Sequence, residues 1–108
     1  MFFKKKNSQP EPIKLVRLTA EEARAKSLEE NQREYNMTLD LITSKLYIKI
    51  NEASARGWYT VELYLDQFAK LMYIPNLVKD LTAEFEGKGY TVKYMEETDC
   101  FWVIWKII

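Results

Sequence analysis

The chain ends in FWVIWKII, residues 101–108, and these residues constrain how the predicted elements pack. Seven of its eight residues are apolar, and its aromatic and β-branched side chains favour a strand. Successive side chains of a strand point to opposite faces. One face therefore carries Phe101, Val103, Trp105 and Ile107, and the other carries Trp102, Ile104, Lys106 and Ile108. A sheet with one solvated face normally alternates apolar and polar residues, so this strand needs cover on both faces.

Two interpretations account for the second apolar face. In the first, the strand is central and the chain covers both faces itself. In the second, a partner covers one face, most simply another copy of the chain. Large exposed apolar patches mark such contacts, and aromatic residues are enriched in interface cores. We favour the second interpretation, without a prediction of which face is outward, and assign self-association to Trp102, Ile104, Trp105 and Ile108.

Length and composition predict a single folded domain. The chain has 108 residues, of which 47% are hydrophobic and 14% aromatic, enough to bury a core. The 16 basic and 16 acidic side chains cancel, which disfavours strong attraction to nucleic acid or to an anionic membrane. No segment approaches the roughly 18 consecutive apolar residues of a membrane span, so we expect no membrane partner.

The residue inventory excludes most catalytic chemistry. The chain has no histidine and one cysteine, which leaves no zinc cluster and no histidine-dependent triad. A lone cysteine also favours a reducing compartment. Cys100 is predicted to be a buried small hydrophobe, and Glu96, Glu97 and Asp99 lack the spacing of a calcium loop. We therefore predict no enzyme, no cofactor and no metal.

A long helix is predicted at the start of the domain. The segment KKKNSQPEP (4–12) is polar and contains two prolines, which predicts that residues 1–18 form a flexible tail ahead of a domain over residues 19–108. The alternative is an ordered arm, in which Ile13, Leu15 and Val16 lie extended against a neighbour. Thr19 and Glu22 match a capping box, and a helical stripe of apolar residues extends to Ala53. Gly57 suits a left-handed helix end. The alternation in LYIKI, residues 46–50, would also suit a strand, but the longer stripe favours helix.

The remaining patterns predict a small sheet with one more helix. Residues 58–65 and 90–95 are predicted strands, and the four-residue turn EETD joins the second to the terminal strand. Asp66 could cap a short helical turn, and Pro75 suits the first turn of a helix with the stripe Leu77, Val78, Leu81 and Phe85. The predicted fold is α+β, in the order α-β-α-β-β, with a three-stranded sheet and both helices on one face. If the first two strands are parallel, the third lies between them.

Several short motifs resemble a group of small proteins common in tailed bacteriophage genomes. They are LTAEEAR (18–24), NEASARGWYTVEL (51–63), LTAEFEGKGYTVKY (81–94) and WVIW (102–105). The chain departs from that group in its aromatic segment YLDQFAKLMYIP (64–75). The resemblance implies a viral origin and a place in the host bacterial cytoplasm or in the virion. The group has no defined activity, so the resemblance supplies no functional residues.

Three functional hypotheses follow from these patterns. The leading one is a non-enzymatic phage accessory protein that self-associates and binds a virion or host protein. The alternative is an oligomeric anti-defence protein that binds a nucleotide signal, with Trp58 and Tyr59 stacking on a base and Arg56 meeting a phosphate. The third is a winged-helix-like nucleic-acid binder. The acidic balance of residues 76–88 and of EETD disfavours this last hypothesis.

Overall fold

The structure, a computed structural model, describes residues 15–107. The elements, in chain order, are α1 (Ala20–Ala55), β1 (Thr60–Tyr64), two 3-10 turns (Leu65–Gln67 and Leu71–Tyr73), α2 (Ile74–Glu86), β2 (Thr91–Met95) and β3 (Cys100–Ile104). The predicted α+β order is therefore confirmed. The first fourteen residues of the predicted tail and Ile108 lie outside the described residues.

Helix α1 begins at the predicted capping box and continues without interruption. The Thr19 hydroxyl accepts from the Glu22 backbone N–H at 3.1 Å, and the Glu22 carboxylate accepts from the Thr19 N–H at 2.9 Å. LYIKI is helical, so its strand-like alternation does not decide its structure. Residues 20–33 are exposed on every side. The buried stripe starts only at Tyr35 and continues with Ile42, Leu46, Ile50 and Ala53.

A glycine in the left-handed region redirects the chain after each helix. Gly57 has a φ of 80° and Gly89 a φ of 92°, which a residue without Cβ adopts at low cost. The next N–H reaches back over the helix end, from Trp58 to the Ala53 carbonyl and from Tyr90 to the Phe85 carbonyl. Both endings are Schellman motifs. Because the Trp58 N–H is used here, β1 begins at Thr60 and not at the predicted residue 58.

The sheet has the order β1-β3-β2, with β3 antiparallel to both neighbours. Strands β1 and β2 are therefore parallel to each other, and the terminal strand lies between them, as expected for that case. It is shorter than predicted and ends at Ile104, although the Trp105 N–H still donates to the Tyr59 carbonyl at 2.9 Å.

Both helices pack against one face of this sheet. That helix-side face consists of Val61, Leu63, Val92, Tyr94, Phe101 and Val103. Phe101 and Val103 are completely buried there, in one cluster with Ile42 and Leu46 of α1 and with residues of α2. The hydrophobic effect of burying these side chains stabilises the domain, by about 1.5–3 kcal/mol for each large one.

Tyrosine–carboxylate hydrogen bonds fix α1 against the second half of the chain. Tyr35 donates to Asp80 of α2, and Tyr47 donates to Glu84 at 2.6 Å. Tyr73 donates to Glu34 of α1 at 2.8 Å. The short helix predicted near Asp66 is replaced by the two 3-10 turns. The Asp66 side chain caps neither of them.

Candidate functional site

The other face of the sheet carries no helix within residues 15–107 and is called the open face. Its nine residues form three rows across β1, β3 and β2. The rows are Thr60–Ile104–Thr91, Glu62–Trp102–Lys93 and Tyr64–Cys100–Met95. None of these residues belongs to the hydrophobic cluster beneath the helices. The sheet therefore separates a covered surface from one that its own helices leave uncovered.

Trp102 occupies the centre of the open face. It is partly buried, and its indole Nε1 is closed off from solvent without a hydrogen-bond partner among the described residues. A buried N–H left unpaired costs about 1–3 kcal/mol. Glu62 lies on one side of the indole and Lys93 on the other. The centre of this surface thus combines a large aromatic ring with one acid and one base.

The thiol of Cys100, in the row at the hairpin end, lies beside the carboxylate of Glu62 in the middle row. Cys100 is only 2% exposed, as expected of a buried small hydrophobe, and its Sγ donates to the Glu62 carboxylate at 3.5 Å. Burial, and then the neighbouring carboxylate, raises the pKa of this thiol. The negative charge of Glu62 also raises the pKa of the Tyr64 hydroxyl. Both groups stay protonated near neutral pH, so neither is an activated nucleophile.

Two hollows border Trp102. Thr60 and Trp102 contribute to both of them. The first hollow, of about 380 Å³, is completed by Tyr59, Lys93, Met95, Ile104 and Lys106. The second, of about 270 Å³, lies between β1 and the end of α1, where it includes Arg56 and Trp58. A protruding side chain of a partner, or a planar ligand, would fit beside the indole in either hollow.

The residues assigned to self-association do not all share this surface. Trp102 and Ile104 lie on the open face. Trp105 does not, because the alternation places it on the helix side, where its ring meets that of Tyr90 edge-on at 6.0 Å. Trp102 and Trp105 therefore lie on opposite faces, as alternation predicts, and their role in self-association stays a prediction. Ile108 lies outside the described residues.

The three residues assigned to a nucleotide are divided between the hollows. The Arg56 guanidinium stacks over the Trp58 ring at 5.5 Å, and both line the second hollow. Tyr59 lines the first hollow, with the Lys106 ammonium 5.8 Å from its ring. The structure therefore does not gather Arg56, Trp58 and Tyr59 into one pocket. Each hollow instead combines one aromatic residue of this group with at least one cation.

Helix α2 and the hairpin turn do not provide a basic surface for nucleic acid. Asp80 and Glu84 of α2 are hydrogen-bonded to tyrosines of α1, and Asp99 of the turn accepts from Tyr94 at 2.6 Å. Phosphate binding needs clustered Lys and Arg. Within residues 15–107, no group of three or more Asp, Glu, Cys or His side chains is placed to hold a metal ion.

Sequence reasoning missed Glu62 and Lys93. Alternation within each strand assigns Glu62 to the same face as Tyr64, and Lys93 to the same face as Met95. Alternation does not show that these faces of β1 and β2 belong to the same face of the sheet. It also does not show that Trp102 lies between Glu62 and Lys93. That placement depends on the register of two non-local strand pairings. A signal was present in the sequence, since a charged residue sits in the middle of each edge strand.

Comparison with known proteins identifies no relative of this chain. No family model matches the chain, and no match is found among curated proteins or solved structures. Among the described residues, no helix is both long enough and apolar enough to cross a membrane.

Proposed function

We propose that this chain is a non-enzymatic accessory protein of a tailed bacteriophage that acts by self-association and protein binding. Its place is the host bacterial cytoplasm, as a host-directed factor, or the virion, as a minor component. Two observations support this proposal. The phage-like motifs favour the viral origin, and the open face favours action through a contact surface.

The main support for the proposal is the set of exposed apolar side chains on and beside the open face. Its central row and its hairpin end hold Trp102, Tyr64 and Met95, of which Tyr64 and Met95 are each 41% exposed. Trp58 and Tyr59 lie at the opposite end and are 56% and 51% exposed. Aromatic residues and methionine are the side chains most enriched in interface cores. A second copy placed on this face would remove them from water, and apolar burial stabilises the contact by about 25 cal/mol per Å².

The test is the solution mass of the purified protein, by light scattering on a sizing column over a range of concentrations. We expect a dimer or larger species for the wild type and a monomer for Ile104→Glu. This variant places a charge on the open face, in a row that has no other charged residue. Trp102→Glu should act in the same way. Circular dichroism should show both variants folded, because neither residue belongs to the covered core.

A matched control comes from a second exposed apolar surface on α1. Met37, Leu41 and Ile48 project from the side of the helix opposite its buried stripe, and Ile48 is 59% exposed. Ile48→Glu introduces the same charge away from the sheet and should leave the mass unchanged. A wild-type monomer at all concentrations would overturn the proposal. If Ile48→Glu were the only variant to lose assembly, the self-association contact would lie on α1 and not on the open face.

The first hollow favours nucleotide binding as a second candidate function. Its volume falls within the roughly 300–1,000 Å³ of small-molecule sites, and it combines Trp102 and Tyr59 with Lys93 and Lys106. Stacking on an aromatic ring and a lysine near a phosphate would suit a nucleotide. The absorbance ratio recorded on the same column peak, followed by mass spectrometry, would reveal a co-purifying nucleotide. Its absence, with no binding of added nucleotides by calorimetry, would remove this candidate.

A further inference from the structure

The middle row of the open face carries opposite charges at its two ends. Glu62 and Lys93 lie two strands apart, at about 10 Å given the usual spacing between strands, with Trp102 between them. Neither forms an ion pair with any residue in the range 15–107. The face thus presents an acid at one edge and a base at the other, separated by an aromatic ring that keeps them apart.

We propose that the open face pairs with a second copy about a two-fold axis parallel to β3 over Trp102, so that Glu62 of each copy faces Lys93 of the other. This inference rests on the proposed self-association and specifies its geometry. Such an axis brings β1 of one copy opposite β2 of the other. The two tryptophans meet at the centre, and two equivalent Glu62–Lys93 contacts flank them.

The register excludes the other simple face-to-face arrangement on electrostatic grounds. An axis across the strands, parallel to the central row, would place Glu62 on Glu62 and Lys93 on Lys93. Like charges that face each other across an interface are strongly disfavoured. The axis parallel to β3 also brings Thr60 opposite Thr91 and Tyr64 opposite Met95, which are compatible pairs. Sheets packed face to face align within about 30° of each other, so the central row keeps these partners.

The small area of the face limits the strength of the contact. Three strands of five residues give a footprint of roughly 240 Å² from the usual strand dimensions. A standard stable interface buries about 800 Å² on each partner. Trp58, Tyr59 and Lys106 at the edge enlarge the contact but do not triple it. We therefore expect a weak dimer whose population depends on protein concentration.

Charge reversal tests the geometry. Glu62→Lys and Lys93→Glu each place like charges at both flanking contacts, and each should raise the dimer dissociation constant about tenfold or more. The double variant Glu62→Lys with Lys93→Glu restores opposite charges at both positions and should return to near the wild-type value. Sedimentation velocity over a concentration series gives the dissociation constants, and thermal melting checks that all three variants fold.

Salt provides an independent readout, because it screens attraction and repulsion alike. Added salt should weaken the wild-type dimer and strengthen the dimer of either single variant. A dimer that is insensitive to all three variants would overturn this geometry while leaving self-association in place. This geometry would also be overturned if the single variants weakened the dimer and the double variant did not restore it. A wild-type monomer at all concentrations would overturn self-association itself.

Discussion

The two faces of β3 have the same apolar character but very different surroundings. Phe101 and Val103 point to the helices and have no exposed surface. Trp102 and Ile104, their neighbours in the chain, are only partly buried, on the face that carries no helix from residues 15–107. Apolar character alone therefore does not tell which side of a strand forms the core. The difference arises because α1 and α2 both reach the same side of the sheet. The remaining side has no helix packed against it among residues 15–107.

Substitution on the helix-side face should cause the largest loss of stability. Phe101→Ala leaves a cavity under the helices, and we expect the free energy of unfolding to fall by about 3–5 kcal/mol. Chemical denaturation followed by circular dichroism measures this change. The matched variant on the open face, Ile104→Ala, should cost about 1 kcal/mol or less in the monomer. Equal losses in the two variants would mean that both faces are covered within one chain.

High pH should destabilise the covered side through the buried Tyr35 and the partly buried Tyr94. Burial, together with the hydrogen bond to Asp99, raises the pKa of Tyr94 to about 12. Burial and the contact with Asp80 raise the pKa of Tyr35. The unfolded phenol titrates near pH 10. A raised folded-state pKa gives stability that is complete below about pH 10 and is lost as the pH rises through the folded-state pKa.

A spectrophotometric titration of phenolate, run together with circular dichroism, measures this loss. We expect a tyrosine fraction that ionises only as the fold is lost, above about pH 10. Tyr94→Phe should remove the part that titrates near pH 12. Ionisation of every tyrosine near pH 10 in a protein that remains folded would contradict the prediction.

The smallest expected effect is that of Trp102→Phe on the open face. The change removes some buried ring surface, but it also removes an indole N–H that has no partner among residues 15–107. These two contributions oppose each other, so we expect the free energy of unfolding of the monomer to change by about 0.5 kcal/mol or less. Denaturation below the dimer concentration range measures it. A loss above about 2 kcal/mol would show that the N–H is satisfied in the folded protein.

Local signals in the sequence predicted the elements well because each depends on neighbours in the chain. The capping box at Thr19, the left-handed glycine at position 57 and the four-residue turn after Met95 act over only a few residues. The limits of the strands were less predictable. Strand β1 starts two residues late because the end of α1 uses the Trp58 N–H. The candidate site could be predicted only in part. Alternation places Trp102 and Ile104 on one face and Trp105 on the other, but it does not tell which of these faces the helices leave open.

The α+β order, the alternation of β3 and the lack of histidine chemistry could be predicted from the sequence, because these depend on residue identity and local spacing. Three placements come from the folded structure: Trp102 lies on the open face, Trp105 packs on Tyr90, and Glu62 and Lys93 flank the same indole. Those placements depend on which side of the sheet the helices cover and on the register of strands distant in the chain. Both are set by the packing of the whole core, which no short stretch of sequence contains.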